Sequence, residues 1–124
     1  FANDANNFIS IFLSSLSYDI ITKLNGTETV EKTITISSSI TDLIESVFFK
    51  MSIHLRLRDR NGDSLLRITA PDFPEVDGEL IMPDTHDINS IFPTNADVNH
   101  FGFYAPDDKS ATLLIDQFQL LDLN

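Results

Sequence analysis

The sequence predicts an all-β fold, an antiparallel β-sandwich of the jelly-roll type with at most one or two short helical turns. Apolar runs of strand length recur along the chain, and turn-forming residues separate them. Ile, Thr, Ser and Phe are frequent, and β-branched and aromatic residues favour strands. The helical patterns are all shorter than the helices that an alternating α/β fold requires. These three observations together favour the sandwich.

The N-terminal third is predicted to form three strands. Phe8–Leu13 and Leu16–Leu24 are apolar runs of strand length, and the dipeptide Asn25-Gly26 follows them. Because Asn and Gly both tolerate positive φ, this dipeptide predicts a hairpin turn. Thr29–Ser37 is then the partner strand, and the polar pair Glu31-Lys32 within it predicts either a β-bulge or a later start of the strand.

The middle of the chain carries the clearest strand signal, at Val47–Asp59. Polar and apolar residues alternate there, so one face of the strand is expected to be buried and the other to be polar. The chain is predicted to turn at 60–63 and to return as the strand Ser64–Thr69. The segment before this hairpin, at 38–46, is predicted to be a loop with one helical turn.

The region after this hairpin is predicted to be mostly loop. A loop with two prolines at 70–78 leads to a short edge strand, Glu79–Met82, which Pro83 stops. In the polar stretch that follows, three apolar residues are spaced to place one helical turn against the core. They are Ile88, Ile91 and Phe92.

The last quarter of the chain, Val98–Leu121, predicts a β-hairpin at the centre of the sheet. Two apolar runs flank a short polar turn, and Asp116 stands in the middle of the second run. A carboxylate inside an apolar strand is costly to bury unless it is paired, hydrogen-bonded or bound to a cation. Asp116 is therefore a candidate site residue.

Length and composition narrow the class of protein. The 124 residues are predicted to form one domain, residues 1–124, and the chain has no cysteine for disulfides or thiolate metal sites. A formal charge of −11 argues against nucleic acid and anionic membranes as partners. No apolar run is long enough for a membrane helix. The start at Phe1 favours a processed product or a domain of a longer protein. The strong acidity is compatible with an extracellular or cell-surface setting.

Three motifs between Val47 and Leu121 resemble the galactose-binding-like jelly rolls that many carbohydrate-binding modules share. The first is a D-x-x-G turn, Asp59–Gly62, at the end of a long strand. The second is the apolar strand Asn99–Tyr104. The third is a closing strand of the form L-x-I-D-x-F-x-L, Leu113–Leu120. The resemblance implies a β-sandwich that binds a polysaccharide or glycan.

The resemblance also implies a structural calcium ion. In such modules the closing-strand aspartate helps to hold Ca²⁺ together with oxygens of the N-terminal segment. Asp116 is the matching position, and Asn3 and Asp4 are the expected N-terminal ligands. The chain departs from the family pattern because it has no tryptophan on which a sugar could stack.

Candidate ligand-binding residues follow from the polar face of the long strand. His54, Arg56 and Arg58 are expected to point outward there, where they can donate hydrogen bonds to sugar hydroxyls. Tyr104 combines an aromatic ring with a polar hydroxyl, which suits a binding site that is partly apolar and partly open to water. The open alternative is that these arginines only balance neighbouring acids on a solvated face.

Catalytic patterns are missing from the sequence, so the protein is predicted not to be an enzyme. There is no cysteine nucleophile, no G-x-S-x-G or H-E-x-x-H motif, and the three histidines are scattered. The main rival to carbohydrate binding is a structural or adhesive subunit that self-assembles or binds a protein. Its apolar N-terminal strand, Phe8–Leu13, could then complete a neighbouring sheet.

Overall fold

The computed structural model describes residues 1–14, 16–39, 42, 47–104 and 117–121. Within them the strands are β1 (Ala2–Asp4), β2 (Asn7–Leu13), β3 (Ser17–Leu24), β4 (Thr27–Thr35), β5 (Ser52–Arg56), β6 (Ser64–Thr69) and β7 (Gly78–Met82). A short 3₁₀ turn at Pro74–Val76 lies between β6 and β7. Two more helical turns, Ile88–Ile91 (α1) and Asn95–Asp97 (3₁₀), come after β7. Strands β1 to β4 form one antiparallel sheet in chain order, and β5 to β7 form a second. The predicted all-β sandwich is confirmed.

One hydrophobic core lies between the two sheets and contains side chains from both. Its fully buried members come from both: Ile9, Tyr18, Ile20, Leu66, Ile68 and Met82. The turn α1 adds to this core because Ile88, Ile91 and the following Phe92 have no exposed surface. The predicted helical turn against the core is thus confirmed. No helix in the described part of the chain is long and apolar enough to cross a membrane.

The β3–β4 hairpin has the turn and the bulge that the sequence predicts. Leu24 pairs with Thr27 across a two-residue loop in which Asn25 and Gly26 have φ values of 50° and 84°. Ile20 is paired with Lys32 but Ile21 with Val30, so Glu31 is the extra residue of a bulge.

The strand predicted over Val47–Asp59 is shorter than expected, since β5 spans only Ser52–Arg56. At its far end the chain leaves the strand because Arg58 adopts a left-handed φ of 48° and its backbone N–H donates to the Ser64 hydroxyl. At its near end Phe49 packs edge-on against Phe73, with ring centroids 5.2 Å apart. Phe49 therefore packs against the loop that contains Phe73 and is not part of β5, which begins at Ser52.

The first strand of the predicted C-terminal hairpin does not form. Residues 98–104 form one isolated bridge, between His100 and Ala2, instead of a strand. The bridge places this segment along β1 at the N-terminus. The polar turn and most of the second arm, including Asp116, lie outside the described residues.

Tyr18 links the two sheets through its hydroxyl. Its side chain is 1% exposed, and the hydroxyl donates to the Val76 carbonyl oxygen at 2.6 Å. Burial, with a smaller contribution from the negative charge of Asp77, raises the Tyr18 pKa to about 12. The neutral phenol is therefore the form that fits the folded state.

We expect the stability of the protein to fall as the pH rises from 10.0, the ordinary tyrosine value, towards about 12. In that window the unfolded chain releases the phenol proton while the folded protein retains it, so ionisation favours unfolding. Urea unfolding measured across this pH window should show a smaller fall in the free energy of unfolding for Tyr18→Phe than for the wild type. Tyr104→Phe, which alters an exposed ring, is the control for loss of a hydroxyl. Equal losses in all three proteins would contradict the assignment.

Candidate functional site

A polar cleft of about 410 Å³ lies where the edge of β4 approaches the edge of β7. The cleft opens widely to solvent. Charged residues from both sheets supply most of its lining. The lining residues are Lys32, Arg67, Ile68, Thr69, Asp77, Gly78 and Glu79.

Lys32 reaches the cleft because of the bulge in β4. The lysine follows the extra residue Glu31 and pairs with Ile20, so it starts from the core-facing side of the sheet edge. Its Nζ crosses to the second sheet and donates to the Glu79 carbonyl oxygen at 2.7 Å. A bulge is a common means of redirecting a side chain at a sheet edge.

Arg67 and Glu79 form an ion pair in the cleft. They face each other across β6 and β7, and Arg67 Nε and Nη2 both lie close to Glu79 Oε2, at 2.8 and 2.7 Å. One carboxylate oxygen therefore takes both contacts. Glu79 Oε1 and Arg67 Nη1 have no partner among the described residues.

Asp77 borders the cleft at the start of β7. One of its oxygens, Oδ1, accepts the Ala70 backbone N–H at 2.7 Å and so holds the preceding loop against the end of β6. The other oxygen has no hydrogen-bond partner in the described part of the chain. Asp77 thus combines a structural bond with an acceptor that a ligand could use.

Two of the predicted ligand-binding residues lie on the same face as Arg67. His54 pairs with Arg67, which pairs with Glu79, so the three side chains form a row across the outward face of β5, β6 and β7. Directly opposite residues in such sheets have Cβ atoms about 4.5–5.5 Å apart. Arg56 lies two residues further along β5 and contacts Asp59 at 3.6 Å. Arg56 therefore lies beside the His54 end of the row, opposite Leu65, and is not a member of the row.

The other two predicted ligand-binding residues lie elsewhere. Arg58 turns away from the strand, and its Nη1 donates to the Phe92 carbonyl at 2.6 Å and to Asn89 Oδ1 at 3.1 Å. Tyr104 lies beside β2 of the first sheet, with its hydroxyl 3.4 Å from the Ser10 hydroxyl. A ligand-binding role for Arg58 and Tyr104 stays a prediction.

The residues that sequence reasoning missed are Lys32, Arg67, Asp77 and Glu79. Arg67 had a detectable signal, because it is the single charged residue of the otherwise apolar strand S-L-L-R-I-T. Lys32 was noticed only as part of a bulge. Its proximity to β7 depends on how the two sheets pack, and local sequence does not show it.

Asp4, one of the two predicted N-terminal calcium ligands, is hydrogen-bonded within the N-terminal turn. Asn7 Nδ2 donates to both carboxylate oxygens of Asp4, at 3.0 and 3.2 Å, and the Asn6 backbone N–H donates to one of them. These bonds lower the Asp4 pKa, the Asn6 bond having the largest effect. A calcium-binding role for Asp4 stays a prediction.

Asn3 is the other predicted N-terminal ligand, and it is directed towards neighbouring loops. Its Nδ2 donates to the Ile91 carbonyl at 3.4 Å, and its Oδ1 accepts from Asn99 at 3.5 Å. The third predicted ligand, Asp116, lies outside the described residues. Within those residues, no group of three or more His, Asp or Glu side chains is arranged to hold a metal ion.

The histidines have separate local partners. His86 Nε2 lies 3.0 Å from Glu31 Oε1, while its Nδ1 accepts the Ile88 backbone N–H. His100 contacts the neighbouring Asn99 side chain. His54 is the histidine that belongs to the outward row beside the cleft.

Comparisons with protein-family models, with curated proteins and with solved structures find no match to this chain. The resemblance to galactose-binding-like jelly rolls therefore rests on the three sequence motifs.

Proposed function

We propose that this chain is a non-catalytic carbohydrate-binding module of a secreted or surface protein. The site is the cleft between β4 and β7, with the row that continues to His54 as its outer part. The observation that carries the proposal is the convergence of Lys32, Arg67, Asp77 and Glu79 on one cleft, where each keeps unused hydrogen-bonding capacity.

The chemistry of the cleft suits sugar hydroxyls. Each hydroxyl both donates and accepts hydrogen bonds, so it is best met by neighbouring donors and acceptors. The lysine and the arginine supply charged donors, and the two carboxylates supply charged acceptors, which make stronger bonds than neutral groups. The strands hold Arg67 and Glu79 in register, which orders the site before a ligand arrives.

Binding without turnover is proposed because the two carboxylates already have fixed structural bonds. Asp77 Oδ1 holds the Ala70 N–H, and Glu79 Oε2 holds Arg67. Glycoside hydrolysis requires a pair of carboxyl groups that flank the scissile bond and exchange protons with it. A panel of glycosides should therefore show binding and no hydrolysis.

Arg67→Met is expected to weaken polysaccharide binding by about tenfold or more, because bonds to a charged donor contribute about 1.5–3 kcal/mol. Affinity electrophoresis over a panel of polysaccharides measures this change. Arg60→Met, which alters an exposed arginine in the 60–63 turn, is the matched control. Unchanged retardation of Arg67→Met, with its fold verified by circular dichroism, would place the site elsewhere.

Calcium stabilisation stays a prediction from the resemblance. If Asp116 completes a site, we expect a chelator to lower the melting temperature and added Ca²⁺ to restore it. The melting temperature of Asp116→Asn should then no longer respond to Ca²⁺. Equal melting temperatures with calcium and with chelator would contradict the prediction.

A structural or adhesive subunit is the second candidate, and an exposed aromatic cluster favours it. Phe101 contacts Phe1, Phe103 and Phe118 with ring centroids 5.2–5.8 Å apart. Phe103 and Phe118 remain 59% and 54% exposed, as residues at protein interfaces often are. A molar mass that rises with concentration in light scattering would support this candidate, and a constant monomer mass would oppose it.

A further inference from the structure

We infer that the cleft selects neutral sugars with adjacent free hydroxyls and rejects uronates and sulfated sugars. The inference rests on the proposed function and specifies its ligand. It is drawn from three features of the cleft, namely its charge balance, the existing bonds of its cations and the absence of an aromatic ring from its described lining.

The charges in the cleft cancel. Lys32 and Arg67 are matched by Asp77 and Glu79, so the cleft offers an anionic ligand no net attraction. The chain as a whole carries a formal charge of −11, which repels polyanions over a distance of about one Debye length, ~8 Å at physiological salt. Both effects act against acidic polysaccharides and leave neutral ones unaffected.

The arginine of the cleft offers an acidic sugar only the edge that Glu79 leaves free. Two guanidinium nitrogens already contact Glu79 Oε2, at 2.8 and 2.7 Å. A uronate that bound this free edge, between Nη1 and Nη2, would lie beside the Glu79 carboxylate. Like charges in such proximity disfavour the complex strongly.

The unused groups instead match a pair of adjacent hydroxyls. Arg67 Nη1 and the remaining N–H groups of Lys32 can donate, while Glu79 Oε1 and Asp77 Oδ2 can accept. One hydroxyl can donate to a carboxylate oxygen and accept from a cation, and its neighbour can do the same. No proton transfer and no displaced ion pair are needed.

The described lining contains no aromatic residue, and Ile68 and Gly78 supply its apolar part. Recognition would therefore use the hydroxyl edge of the sugar ring, with no stacking on its flat face. The pattern of hydroxyls should consequently affect binding more than the apolar surface of the sugar.

The test uses neutral glucan, galactan and mannan, each compared with its own C6-oxidised product. Each pair differs only by a carboxylate in place of a hydroxymethyl group. Affinity electrophoresis at low and at high salt should show that one neutral glycan binds at least about tenfold tighter than its oxidised product, with little effect of salt.

Two variants test the charge argument. Glu79→Gln removes a negative charge from the cleft, and we expect it to reduce the preference for the neutral glycan. Glu28→Gln removes the same charge from the exposed β3–β4 hairpin and should leave the preference unchanged. An unaltered preference in Glu79→Gln would overturn the charge argument.

The outcomes separate the inference from the function on which it rests. Tighter binding of an oxidised glycan, weakened by salt, would overturn the inference and leave carbohydrate binding in place. Failure to bind any glycan in the panel, neutral or oxidised, would overturn the proposed function and the inference with it.

Discussion

Replacement of Gly78 by alanine is expected to reduce the free energy of unfolding by about 2–3 kcal/mol, as overpacking of a core does. A Cβ at this position would overlap the Tyr18 hydroxyl and Ile34 Cδ1. The hydroxyl cannot move aside easily, because it is buried and bonded to the Val76 carbonyl at 2.6 Å. The close approach of β7 to the first sheet therefore requires glycine.

A double-mutant cycle tests this explanation. In the Tyr18→Phe background the hydroxyl is absent, so Gly78→Ala should cost less, with a coupling of about 1 kcal/mol. Gly102→Ala is the control, since a Cβ there would meet no atom of the described residues within 4 Å, and its effect should stay within about 0.5 kcal/mol. Additive effects of the two core changes in urea unfolding would show that Tyr18 does not set the requirement.

Arg58→Met is expected to reduce the free energy of unfolding by about 2–3 kcal/mol. The guanidinium bonds the carbonyl of Phe92, which is fully buried, and Asn89 within α1. Without it these acceptors lose their partner and α1 loses its link to the β5–β6 hairpin. Arg56→Met is the matched control. Arg56 Nη2 lies 3.6 Å from Asp59 Oδ2, and the arginine side chain is half exposed. The free energy of unfolding should therefore fall by at most about 1 kcal/mol.

The backbone of Arg58 allows a finer test of the same position. Its φ of 48° is unfavourable for residues other than glycine. Arg58→Gly should therefore be less destabilising than Arg58→Ala by about 1 kcal/mol, although both remove the guanidinium. Equal denaturation midpoints for Arg58→Met and Arg56→Met would contradict the proposed anchoring role.

The parts of the fold that local sequence could predict are those that short-range chemistry determines. The Asn25-Gly26 turn, the bulge at Glu31 and the burial of Ile88 each follow from residue type and spacing. The end of β5 did not follow from them, because the alternation continues through Leu57 and Arg58. The left-handed turn at Arg58 depends on bonds to Ser64 and Phe92, which lie later in the chain.

The candidate site shows the same division. His54 was predicted to face outward, and it lies in the row with Arg67 and Glu79. The cleft itself could not be predicted, because it forms where the first sheet's edge meets the second sheet's edge. Lys32 and Glu79 are far apart in sequence, and only the packing of the sheets brings the lysine to the Glu79 carbonyl.

An amide-resolved NMR titration tests most directly whether a carbohydrate binds between β4 and β7. Neutral gluco-, galacto- and manno-oligosaccharides would each be added to ¹⁵N-labelled protein. If a sugar binds in the cleft, saturable shifts are expected at Lys32, Thr69, Gly78 and Glu79, and none at Gly102. Shifts confined to residues 101–104, or no shifts with any of the three sugars, would contradict it.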